Sequence, residues 1–162
     1  MRYILRSLAL VAVAAGAVGC GNADVAGSYT IALTNRENAC GFSGWQVGQM
    51  TNNVTLNITQ NGGTVSGEVT GLAAGYLDLV IGGHIFTGTV GGNSIEMKLT
   101  GTRTAAQGNC DYTVDLVVKG TLTGDSLQGE LRYTPKTDGA SDCGALNTCT
   151  NIQAFSGSRP PK

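Results

Sequence analysis

Gly62-Gly63-Thr64-Val65-Ser66-Gly67-Glu68-Val69, Gly92-Asn93-Ser94-Ile95-Glu96-Met97-Lys98-Leu99 and Gly124-Asp125-Ser126-Leu127-Gln128-Gly129-Glu130-Leu131 are three copies of one pattern, 30 and 32 residues apart. Each opens on a glycine-containing pair that tolerates the positive φ of a tight hairpin turn, then alternates apolar and polar residues. Alternation at period two puts the apolar side chains on one face of a strand, so each copy reads as the turn and second strand of a hairpin. A first strand precedes each copy, near 53–60, 84–90 and 111–123. Alternating stretches near 27–34 and 150–157 bring the count to eight. Three copies of two strands are too few for a propeller. The expected fold class is all-β, an antiparallel up-and-down meander of about eight strands closed as a small β-barrel.

Composition agrees with this. The 162 residues are 41% apolar and 13% charged, with 25 glycines. Charge at about half the usual ~25%, and glycine at about twice the usual ~7%, disfavour a disordered polyelectrolyte and a helical bundle alike. One domain is expected, over 27–158.

The first residues read as an export signal. Arg2 and Arg6 precede Leu8–Val18, eleven residues of alanine, glycine, leucine and valine alone. That is the length of a signal-peptide core and too short for a membrane span, which needs about 20 apolar residues. The following Ala17-Val18-Gly19-Cys20 resembles the lipobox of bacterial lipoproteins. The resemblance implies that 1–19 is a signal peptide, that Cys20 becomes the first residue and carries a diacylglyceryl thioether, and that the new amino terminus is acylated. Residues 20–26 are then a lipidated tether, the bilayer is a partner through the acyl chains, and the localisation is the cell envelope. Gly21, where aspartate would signal inner-membrane retention, points to the outer membrane. The mature chain carries eight basic and eleven acidic residues with no basic run, so nucleic acid is not an expected partner.

Cysteine parity supports the lipid reading. Of five cysteines, removing Cys20 leaves an even set, Cys40, Cys110, Cys143 and Cys149. In an exported protein they read as two disulfides. Three pairings are open; the expected one is Cys40–Cys110 with Cys143–Cys149. A zinc site is disfavoured because no Cys-x-x-Cys occurs.

Successive antiparallel strands run up and down, which sorts the loops. The tight turns at Asn61-Gly62, Gly91-Gly92 and Gly124-Asp125 gather at one end with the N-terminus. The longer loops 35–51, 72–83, 102–109 and 135–149 gather at the other, and carry all four cysteines. This outline is similar to the lipocalin-like, calycin-type barrels. Gly27-Ser28-Tyr29 stands where those proteins have Gly-x-Trp, and Arg159 stands where a basic residue packs on that tryptophan. The resemblance implies a barrel entered from its closed end and a ligand site at its open end. Residues 159–162 read as a C-terminal tail.

Candidate ligand-binding residues are Trp45 in the first long loop, Tyr76, His84 and Phe86. His84, the single histidine, falls at the register of Leu116 and is expected to face inward near the mouth. It has no motif partner, and no nucleophile elbow, phosphate loop or metal motif is present, so neither enzyme, cofactor nor metal is expected. Asp111 and Asp115 share a face expected to be outward and solvated. Leu72–Gly83 is too apolar for a solvated loop: it reads as a lid or plug over a cavity, or as a ninth strand at Tyr76–Ile81. The expected function is binding of a small apolar or amphipathic ligand; the alternative is a non-catalytic module contacting another envelope protein.

Overall fold

The computed structural model describes residues 21–162; residues 1–20, with the signal segment and Cys20, lie outside the described residues. Nine strands follow the described chain: β1 (Gly27–Asn38), β2 (Met50–Asn61), β3 (Thr64–Thr70), β4 (Ile85–Gly91), β5 (Ser94–Leu99), β6 (Ala105–Gln107), β7 (Cys110–Thr123), β8 (Ser126–Thr137) and β9 (Asn151–Ser158). A helix, α1 (Leu72–Val80), joins β3 to β4, and a 3-10 turn, Ser141–Asn147, lies between β8 and β9. Every pairing is antiparallel, and β5 pairs with β7, which closes an eight-stranded barrel. The short β6 pairs with the start of β7 outside that circuit.

The three repeated patterns do the same backbone work. Gly62, Gly92 and Gly124 each adopt φ near +60°, at 60°, 58° and 59°, and turn the chain in two residues. Alternate residues then fill the interior: Val65, Ile95, Met97 and Leu127 are at most 2% exposed. Gly120 and Gly129 face each other across β7 and β8. A Cβ on Gly129 would lie 2.0 Å from the Lys119 carbonyl oxygen, and one on Gly120 would meet the Phe155 ring at 2.9 Å. Glycine here lets the two strands coil closely and gives the Phe155 ring its space.

The closed end is sealed by the chain's own ends. Ala23 N–H donates to the Gly92 carbonyl at 2.7 Å, Val25 N–H to Gln60 Oε1 at 2.8 Å, and Tyr29 Oη–H to the Val25 carbonyl at 2.9 Å. Val25 and Tyr29 are fully buried. Residues 22–26 are therefore bound chain rather than free tether, because their backbone groups complete the bottom of the barrel. Arg159 likewise belongs to the barrel and not to a tail. Its guanidinium lies 5.7 Å from the Tyr29 ring centroid, its Nε donates to Asp125 Oδ1 at 3.0 Å, and its Nη1 donates to the Ala26 carbonyl at 2.6 Å.

At the loop-rich end Leu72–Val80 forms a helix, so of the two readings of this stretch the ninth strand at Tyr76–Ile81 falls away. Ala73, Leu77, Val80 and Ile81 recur at helical spacing and lean on the barrel core. The disulfides also correct the expectation: they join Cys40 to Cys149 and Cys110 to Cys143, with Cα–Cα distances of 5.1 and 4.7 Å. Strand order explains this. β1 pairs with β9, bringing Cys40 to the chain just before β9; β7 pairs with β8, whose continuation carries Cys143 back over Cys110. Asp115, expected in solvent, has a side chain 8% exposed and pairs with Lys98 Nζ at 2.8 Å. The chain after β5 folds over it, and Gly101 N–H donates to its Oδ1 at 3.1 Å.

Candidate ligand cavity

The closed end of the barrel is filled and its upper half is not. Above the packed layer of Val25, Tyr29, Ile95 and Leu127 lies a cavity of about 840 Å³. Its volume is within the range of small-molecule sites, roughly 300–1,000 Å³. Met97, Val118, Leu131 and Phe155 form its deep apolar wall, and α1 leans over it with Leu72, Ala73, Tyr76 and Leu77. The rim on β2 carries a bulge: register slips between Ile31 and Leu33, and Asn53 there takes a left-handed φ of 60°. That irregularity turns Asn52 and Asn53 to the mouth.

Besides the asparagines at the rim, a connected set of polar groups enters this apolar space. Asn35 on β1, Tyr133 on β8 and Gln153 on β9 all line the cavity. Tyr133 Oη–H donates to Gln153 Oε1 at 2.6 Å, and Gln153 Nε2 donates to Asn35 Oδ1 at 2.7 Å. The chain of donors and acceptors is consistent from end to end. Burial pushes the Tyr133 phenol well above its ordinary value of 10.0, with Tyr76 adding to the shift, so it stays a donor at neutral pH. What surface Tyr133 retains faces the cavity.

Trp45 completes the group. Its ring meets that of Tyr133 edge-on, centroids 5.1 Å apart at 79°. An asparagine pair, one buried and one half-buried, holds it there. Asn151, fully buried, accepts from Cys40 N–H at 2.9 Å and donates to Asn38 Oδ1 at 2.9 Å. Asn38 Nδ2 in turn donates to the carbonyls of Phe42 and Trp45, at 3.0 and 3.2 Å. The Cys40–Cys149 disulfide fixes the same corner. Trp45 Nε1 itself is buried and has no hydrogen-bond partner. Among the described residues it is the one buried side-chain polar atom left in that state.

Three of the four candidate residues, Trp45, Tyr76 and Phe86, line the cavity; His84 does not. β4 starts at Ile85, so the parity that placed His84 inward stops one residue short of it. Its Nδ1 lies 2.7 Å from Asp78 Oδ1 on α1 and its Nε2 3.8 Å from Glu68 Oε1 on the outer face of β3. His84 thus ties the helix to the barrel wall. Asn35 and Gln153 were missed, although each extends an inward alternation, Tyr29-Ile31-Leu33 and Phe155. Asn38 and Asn151 carried no sequence signal, since their partnership crosses 113 residues.

No known family model, curated protein or solved structure matches the chain. Fold and cavity together define a closed eight-stranded antiparallel barrel, braced by two disulfides at an open end that carries a ligand-sized cavity.

Proposed function

We propose that this is a lipid-anchored protein of the bacterial envelope whose barrel holds a small apolar or amphipathic molecule. The cavity carries this reading: about 840 Å³ walled by Met97, Val118, Leu131 and Phe155 stays open in a barrel otherwise packed with side chains. Proteins fill their interiors to near crystal density, so a void of this size that nothing fills points to a ligand. The lipobox sequence supports the anchor, and the bound course of residues 22–26 runs at the end of the barrel opposite the mouth. Outer-membrane residence rests on Gly21. The Arg159 guanidinium over Tyr29 supports a lipocalin-like reading of the barrel.

Native mass spectrometry of the protein extracted from its own membranes is expected to find a small molecule bound. A barrel that is empty from its host and fails to take up apolar probes would refute the carrier reading. Cys20→Ser is expected to release the protein from membranes or block its processing; unchanged membrane fractionation would refute the anchor. A second reading, contact with another envelope protein, draws on Leu72 and Leu79 of α1, 97% and 72% exposed at the mouth. Crosslinking from α1 to one protein partner, with an empty barrel, would favour it.

A further inference from the structure

We infer that the cavity takes an uncharged amphiphile with a polyol head, whose apolar chain lies down in the barrel while its hydroxyl groups meet the side-chain amides of Asn35, Asn52 and Asn53 at the mouth. The inference rests on the carrier reading above and adds the chemistry of the ligand's head.

The walls are sorted by polarity. Met97, Val118, Leu131 and Phe155 make the deep part apolar, whereas an arc of uncharged polar side chains runs from Asn35 on β1 to Gln49, Thr51, Asn52 and Asn53 on the chain beside it. Asn35 N–H donates to the Gln49 carbonyl at 2.9 Å, which makes the arc continuous. Asn35 carries the decisive atom. The residue is 8% exposed, its Oδ1 is taken by Gln153 Nε2 at 2.7 Å, and its Nδ2 makes no hydrogen bond among the described residues. Unlike Trp45 Nε1, that nitrogen is not sealed by protein: it keeps accessible surface, and its residue lines the cavity. The bonds from Tyr133 to Gln153 and from Gln153 to Asn35 run in one direction, so each polarises the next and the series ends on this donor. A buried amide in that position is satisfied by what enters the cavity, water when it is empty and a ligand hydroxyl when it is full.

Asn53 is a second, independent sign. Its φ is 60°, and every other positive φ among the described residues belongs to a glycine. Glycine would take this backbone without strain, yet here an amide is held at the lip by the bulge that sets Asn52 and Asn53 opposite Ala32. The side chains of Gln49, Asn52 and Asn53 are exposed and bond to no other described residue. An amide both donates and accepts, and so does a hydroxyl, whereas a carboxylate only accepts and an ammonium only donates. A head with several hydroxyls therefore answers several of these amides at once.

Charge has no partner in this space. No lining residue is charged, and Arg36 and Glu37 of β1 and Asp78 of α1 are not among the walls. A charged head would keep its hydration only by standing outside the mouth, beyond the reach of Asn35.

Four probes with one tail test this: octyl β-glucoside, 1-octanol, octanoate and octyltrimethylammonium, each below its micelle-forming concentration. Affinities are measured by calorimetry on residues 21–162, which contain every strand of the closed barrel. The glucoside is expected to bind at least about tenfold more tightly than either charged probe. In the double variant Asn52→Ala, Asn53→Gly both amides are gone and the glycine accepts the left-handed backbone, so the barrel keeps its shape. There the glucoside is expected to lose about tenfold and octanol less than about twofold. The Asn35 side-chain amide proton resonances should move when the glucoside binds to wild type. A charged probe bound as tightly as the glucoside, unmoved Asn35 amide protons, or equal losses for glucoside and octanol would overturn the inference and leave the carrier reading standing. Failure of all four probes to bind would overturn both.

Discussion

Replacing Arg159 with methionine tests what keeps the barrel closed at its base. The arginine side chain is 7% exposed, and three interactions end with it: the hydrogen bond to Asp125, the one to the Ala26 carbonyl and the guanidinium over Tyr29. Methionine keeps an apolar stem across Gly27, whose missing Cβ leaves room for the arginine methylenes, so packing changes least. A charge-assisted hydrogen bond contributes about 1.5–3 kcal/mol, a desolvated cation over an aromatic face about 1–2, and an orphaned carbonyl costs about 1–3. Asp125, 35% exposed, rehydrates once freed, which lowers the sum to about 3 kcal/mol. For a domain of this size that is a fall in Tm of about 10 °C. Urea unfolding with the disulfides intact measures it, alongside Arg159→Lys, which keeps the charge but not the fork and should cost less. Hydrogen exchange should also quicken at the Ala23 and Val25 amides, whose bonds form the seal. A loss under about 1 kcal/mol, with unchanged exchange there, would refute the idea that this arginine locks the two chain ends together.

Other consequences follow from the same geometry. Burial alone would raise the Asp115 carboxyl, but the hydrogen bonds from Lys98 and Gly101 and the charges of Lys98 and Lys136 outweigh it and hold it below its ordinary value of 3.8. A depressed folded value means stability present above that ordinary value and lost as pH falls through the folded one, so Asp115→Asn should cost about 1–3 kcal/mol at neutral pH and little in strong acid, as read from unfolding curves across pH. Non-reducing peptide mapping should recover Cys40 with Cys149 and Cys110 with Cys143; since these span 109 and 33 residues, removing either pair by serine replacement should cost roughly 3–5 kcal/mol in the chain-entropy account. Asn151→Leu should cost about 2–3 kcal/mol by orphaning the Cys40 N–H and should redden the fluorescence of the single tryptophan as its loop loosens, whereas an unchanged spectrum would mean that Trp45 is held by its ring contacts alone.

Much of this protein is written locally. Period-two alternation and glycine turns act over a few residues, so they announced the strands, the closed meander and the sorting of tight turns and long loops to opposite ends. Parity within a strand sufficed to put Val65, Ile95, Met97 and Leu127 on one face, and a count of cysteines sufficed to expect two bridges. The expectation faltered where locality ends. His84 lies one residue before β4, where the alternation no longer governs, and the pull of Asp78 from α1 decides its direction. Leu72–Val80 is a short apolar run, which either period fits until a surface exists for one face to pack against.

What the sequence by itself determined is the eight strands of the closed circuit and their order, because these follow from neighbours a few residues apart; the short β6 lies inside the stretch 102–109 that reads as a loop. What only the tertiary structure decided is which groups meet across long stretches of chain: Cys40 with Cys149, Asn38 with Asn151, Tyr133 with Gln153 and Asn35, Trp45 against Tyr133. Those meetings depend on which strands become neighbours when the sheet closes, and on an interior whose volume is a property of the whole barrel. An unfilled space has no signature in any short window, since it is defined by what every other residue leaves vacant.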